Sequence, residues 1–147
     1  MSTTLTPNLM SENVNESVLF YRDRMGFDYL CGLAAESDAM AGQFSPDRPL
    51  QWAMVGRDET RVMFQSRPSM AGDYAPLEGV PLGASATLYL ELADLDGMLA
   101  RLGDAVEILR PELTTFYGMR EVWIKDNNGY IVVLAQKANG QGESADD

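Results

Sequence analysis

The sequence predicts an α+β fold of two pseudo-symmetric βαβββ modules that form a curved mixed β-sheet cleft. Three observations predict it. Strand and helix patterns run through the same order twice within 147 residues. A stretch rich in Pro, Gly and Ala separates the two passes. Each pass also carries a tryptophan shortly before an acidic turn and an apolar strand: Trp52 lies six residues ahead of Asp58 and VMFQ, and Trp123 lies three ahead of Asp126 and IVVLAQ. Two copies of a unit whose sheet face cannot cover itself are expected to curl around a shared space.

The first module spans residues 5–67. LTPNLM, from Leu5 to Met10, reads as a strand with its proline near the start, where a missing donor is tolerated. In ENVNESVLFYRDRMGF, Asn13 and Glu16 have capping-box spacing, and Val14, Val18, Tyr21 and Met25 draw one apolar stripe down a helix that Gly26 closes. FDYLCGLAA follows as a strand, QFSPDRP as a loop, and LQWAMVGRDETRVMFQSR as two strands joined by a turn at Gly56 to Thr60.

Residues 68–85, PSMAGDYAPLEGVPLGAS, have no sustained period and read as a connector or lid. The second module spans residues 86–137. ATLYLELAD alternates as a strand, Asp94 caps a short helix through Leu95, Leu99 and Leu102, and AVEILRP supplies another short strand. Two more strands, Glu121 to Lys125 and Tyr130 to Gln136, flank a turn at Asp126 to Gly129. Both faces of the last strand are mostly apolar, so Tyr130, Val132 and Leu134 compete with Ile131, Val133 and Ala135 for the inner side. Residues 138–147 read as a flexible acidic tail.

The length suits one domain over residues 1–147 with its own core, and an apolar share of 46% argues against global disorder. One cysteine, Cys31, excludes a disulfide scaffold and reads as a small buried filler with no basic neighbour to activate it. No signal-like start or bilayer-length apolar run is present, so a cytoplasmic protein without a membrane partner is expected. The net charge of −11 repels phosphate backbones, which speaks against a nucleic-acid partner and favours a cationic ligand.

The element order, the start PNLMSENVNESVLFYRDRMGF and the ending YGMREVWIKDNNGYIVVLAQ together resemble the vicinal-oxygen-chelate superfamily, which includes glyoxalase, bleomycin-resistance and extradiol-dioxygenase proteins. The resemblance covers residues 5–137 and is closest in type to the metal-free small-molecule-binding members. It implies a homodimer and a ligand cleft, but leaves the chemistry open, because this scaffold hosts isomerases, epimerases, dioxygenases, thiol transferases and drug-sequestering proteins.

Enzymes of the superfamily hold a divalent metal with imidazoles and carboxylates, and this chain contains no histidine. Carried over by motif, the ligand positions fall on Thr6, Thr87 and Val133, with the fourth near Met63 to Gln65, so no metal and no cofactor are expected. An all-oxygen magnesium or manganese site drawn from Glu91, Glu121 or Glu59 is the remaining metal alternative.

The expected ligand-binding residues are Trp52, Phe64, Tyr89, Tyr117, Arg120 and Trp123. Tyr89 and Glu91 share the phase of Thr87 and face the cavity if Thr87 does. Tyr117 and Arg120 enter through the resemblance, because an aromatic-Gly-Met-Arg-like segment lies near the ligand in drug-binding members. Pairing of Arg120 with Glu112 is the structural alternative. The reading is metal-independent binding and sequestration of a small planar or cationic molecule, of the bleomycin-resistance type, by aromatic stacking and acidic focusing. The enzyme alternative is a histidine-free isomerase, lyase or cyclase with Glu91 or Glu121 as catalytic base.

Overall fold

The computed structural model describes residues 3–83 and 85–138. Most of the tail expected at 138–147 therefore lies outside the described residues. The chain divides into two compact units, Met1–Leu82 and Gly83–Asp147.

In the first unit, β1 (Asn8–Ser11) leads into α1 (Val14–Leu19), which continues as a π-turn over Phe20–Arg24. The Asn13 side chain accepts from Glu16 N at 3.0 Å, satisfying an amide that the first helical turn leaves without a partner. The expected stripe of Val14, Val18, Tyr21 and Met25 is buried throughout, and Gly26 ends the element at a φ of 78° that favours glycine. The strands β2 (Asp28–Ala34), β3 (Met40–Ala41), β4 (Leu50–Arg57) and β5 (Thr60–Ser66) complete the sheet. Their order is β1-β5-β4-β2-β3, with β1 parallel to β5 and the remaining pairs antiparallel.

Directly paired residues share a face, so the register separates the two sides of this sheet. Leu9, Phe64, Ala53 and Gly32 form one row on the side covered by α1, where the Phe64 and Tyr21 rings lie 4.9 Å apart. Asn8, Met63, Met54 and Cys31 form a row on the opposite side, followed by the row Met10, Gln65, Trp52 and Leu33.

The stretch expected as a connector without periodic structure contains α2 (Arg67–Asp73) and a 3-10 turn at Ala75–Leu77. Ser66 accepts from Ser69 N, and Pro68 sits in the first turn, where its missing N–H costs nothing. Seven residues that include Pro68 and Gly72 are too few to display a helical period, although Met70 is buried.

The second unit repeats the pattern with β6 (Thr87–Glu91), α3 (Leu95–Leu102), β7 (Glu107–Thr114), β8 (Met119–Lys125) and β9 (Ile131–Lys137). The order β6-β9-β8-β7, with β6 parallel to β9, reproduces β1-β5-β4-β2 of the first unit. Two βαβββ modules with mixed sheets and flanking helices thus make an α+β fold, as expected. Asp94 caps α3 by accepting from Gly97 N at 2.9 Å, and Gln136 accepts from Leu95 N at 2.7 Å. Strand β7 runs further than AVEILRP suggests. It lies at the sheet edge, where Pro111 is tolerated, and its register shifts twice between Ile108 and Leu113.

Candidate functional site

The register of the second sheet answers the question left open by its last strand. Tyr89 pairs with Val133, and Val133 with Trp123. Glu91 pairs with Ala135, and Ala135 with Glu121. One face therefore carries Tyr89, Glu91, Glu121, Trp123, Val133 and Ala135, while Val132, Leu134, Val122 and Ile124 occupy the other.

Glu121 is the centre of the first face. A carboxylate only 3% exposed must have its lone pairs satisfied. Tyr89 donates to its Oε2 at 2.7 Å, Tyr117 donates to the same oxygen at 2.6 Å, and Arg110 reaches Oε1 at 3.4 Å. The Arg110 guanidinium in turn lies 4.0 Å from the centre of the Trp123 ring, a cation–π contact made available by the bulged pairing of β7 with β8. Arg110 Nε and Trp123 Nε1 are buried without a hydrogen-bond partner.

Burial pushes the Glu121 pKa up. Hydrogen bonds from Tyr117 and Tyr89, the nearby Trp123 N–H and the charge of Arg110 outweigh burial and hold it below the usual glutamate value. Partial burial, then donation to Glu121, raises the Tyr89 pKa. Tyr117 is also raised, chiefly by its hydrogen bond to Glu121. Both phenols stay protonated at neutral pH and Glu121 stays ionised. A carboxylate favoured in its charged form and already accepting three donors is a poor general base.

The two tyrosines remain 50% and 55% exposed, so hydroxyls fixed on Glu121 leave ring surface open to solvent. Phe116 packs edge-on against Tyr117 at 5.0 Å between ring centres and extends the aromatic surface. A cavity of about 180 Å³ lies elsewhere, lined by Leu99, Leu102, Val106, Val122 and Ile124 among others on the α3 side of the sheet. None of the residues expected to bind ligand lines it.

Of the expected residues, Tyr89, Tyr117, Glu121 and Trp123 come together, and Glu91 shares their face as an exposed side chain. Arg120 points to the helix side, where Glu112 holds it at 2.7 Å and Asp96 of α3 at 2.6 Å; these two acids raise its pKa. Phe64 is fully buried on the α1 side of the first sheet, opposite in phase to Trp52, which pairs with Gln65. Trp52 and Trp123 occupy different rungs of their hairpins, the first five residues and the second two residues before the last pair of the hairpin. Arg110, the cation of the cluster, was not anticipated. Only its bulged pairing opposite Trp123 brings it there, and no spacing in EILRPELT announces that.

The donor set does not fit the divalent metal that the fold implies. Thr6 and Thr87 are neutral, Val133 has no donor atom, and the Gln65 amide is occupied by Asn8, Ser69 and Asp73. Among the described residues no three His, Cys, Asp or Glu side chains group to hold an ion. Among them, too, no helix is long and apolar enough to cross a membrane.

Residues 5–134 match the Glyoxalase/Bleomycin resistance protein/Dioxygenase superfamily, and the chain belongs to it. Solved structures share the fold at low identity. TioX from Micromonospora sp. ML1 is 15% identical with a TM-score of 0.64, the match covering 92% of this chain and 99% of that one. A protein of unknown function from Agrobacterium tumefaciens str. C58 is 19% identical with a TM-score of 0.68, covering 93% and 95%. A superfamily member from Sphaerobacter thermophilus DSM 20745 is 16% identical with a TM-score of 0.68, covering 93% and 98%. No curated protein matches the chain.

Proposed function

We propose that this protein binds and sequesters a small planar or cationic molecule, without a metal, on the second-unit sheet face around Glu121. The observation that carries the reading is the anchoring of two half-exposed tyrosines to one buried carboxylate. Tyr89 and Tyr117 both donate to Glu121 Oε2, so their rings are set before a ligand arrives and little side-chain entropy is lost on binding. Ring surface of this kind offers stacking area to a flat molecule and a negative π-face to a cation. Glu91 on the same face and the acidity of the whole chain favour positive charge. The satisfied, ionised state of Glu121 supports binding over proton abstraction. The superfamily resemblance supports a homodimer as the functional form.

Equilibrium dialysis against metal-free bleomycin, proflavine and other cationic aromatic natural products tests the reading. At least one should bind, and Tyr89→Ala should weaken it by about tenfold, the loss of about 1.4 kcal/mol. No retention of any compound by the folded wild type would sink it.

A further inference from the structure

We propose that Cys31, Met54 and Met63 form a site for a soft monovalent metal ion, copper(I). The three residues stand side by side in one row across β2, β4 and β5: Cys31 pairs with Met54, and Met54 with Met63. All three lie on the face turned away from α1, and all are half-buried, so the row is partly covered and still reached from solvent. The site lies in the first unit and does not depend on the ligand face of the second.

Three features of the row argue for a soft ion. The strand residues on the α1 side of the same ladders, Leu9, Phe64, Ala53, Gly32, Val55 and Val62, carry no sulfur, so among these paired strand residues the sulfur is confined to one face. Neighbouring strands are about 4.8 Å apart. Two metal–sulfur bonds of about 2.3 Å in a trigonal arrangement span about 4 Å, so the ion sits over Met54 on the middle strand, with the Cys31 thiolate from one flanking strand and the flexible Met63 side chain leaning in from the other across about 9.6 Å of sheet. Lastly, thiolate and thioether donors without imidazole or carboxylate select copper(I) over hard or borderline divalent ions. Binding replaces the Cys31 proton: the thiol loses H⁺ to solvent, the thiolate bonds to Cu⁺, and the two thioethers donate without any change in charge. The resulting three-sulfur centre is neutral, and no electron is transferred.

Anaerobic titration of the full chain against the copper(I)–bicinchoninate complex tests this, with silver(I) as a redox-inert second probe. Wild type should withdraw one equivalent of copper(I) and develop the ultraviolet thiolate-to-metal charge-transfer band. Cys31→Ser should abolish the band. Met54→Leu and Met63→Leu, which keep volume and packing, should each weaken binding at least tenfold, while Met98→Leu in α3 should not. Circular dichroism of every variant separates lost ligation from lost fold. Failure of the wild type to compete with bicinchoninate overturns the proposal. So does copper(I) binding that survives Cys31→Ser combined with Met54→Leu.

Discussion

The hydroxyl of Tyr117 donates to Oε2 of Glu121 at 2.6 Å, closing a latch over the tight turn that Gly118 makes at a φ of 84°. Tyr89 reaches the same oxygen from a strand two positions across the sheet. One carboxylate thus fixes two aromatic rings from separate elements, and the properties of the face follow from its charge.

The first consequence is a titration. Glu121 should titrate below the ordinary glutamate value of about 4.3, and Tyr89→Phe or Tyr117→Phe should each move its midpoint upward. A folded-state pKa lowered in this way stabilises the fold above the unfolded-state value, and that stabilisation is lost as pH falls through the folded value. The stability of wild type should therefore drop in the acid range below about pH 4, and Glu121→Gln should flatten that part of the profile. Carboxyl-carbon NMR together with denaturant melts measures both. A Glu121 midpoint above the ordinary range contradicts the argument.

Removing one hydroxyl has a modest price in stability. Tyr89→Phe should cost about 1 kcal/mol, because a charge-assisted bond is lost at a site that water partly reaches. Urea unfolding reads it, and no change at all would mean that the bond is not populated in solution.

Phe64 behaves as core rather than ligand surface. Phe64→Ala should destabilise by about 3–5 kcal/mol through the cavity left beside Tyr21. Phe64→Leu should stay folded and keep the wild-type affinity for any dialysis ligand. An affinity loss in stable Phe64→Leu would place the ring at the ligand.

Arg120 is held by Asp96, whose side chain is largely in water, and by Glu112, which water partly reaches, so Arg120→Ala should cost about 1 kcal/mol or less and leave ligand affinity unchanged. Raised salt should shrink the stability difference, since exposed pairs are screened. A specific loss of ligand binding in this variant would restore Arg120 to the site.

The elements were legible where a local rule decides them. Asn13 with Glu16 and the stripe from Val14 to Met25 marked α1, and Asp94 marked α3, because caps and apolar periods act within a turn or two. The repeated order was legible for the same reason. The site was only half legible, because faces depend on strand register. Tyr89 and Glu91 were reached by counting alternation from Thr87 and Glu121 by its place on a strand, but Phe64 falls one residue out of phase with the face that carries Trp52. The two apolar faces of β9 could be told apart only by pairing Val133 with both Tyr89 and Trp123. Arg110 depends on a bulge, and the sulfur row of Cys31, Met54 and Met63 depends on three strands aligned by distant pairing. Neither leaves a mark in linear spacing.

The central claim is that aromatic surface anchored on Glu121 binds a small molecule without a metal. Dialysis of metal-free bleomycin and proflavine against wild type, Tyr89→Ala and Tyr117→Ala, each with and without a strong chelator, tests it most directly. The account predicts that a retained compound is indifferent to the chelator and weakened about tenfold or more by either substitution. Binding that the chelator abolishes and a divalent ion restores, or that both substitutions leave untouched, would contradict it.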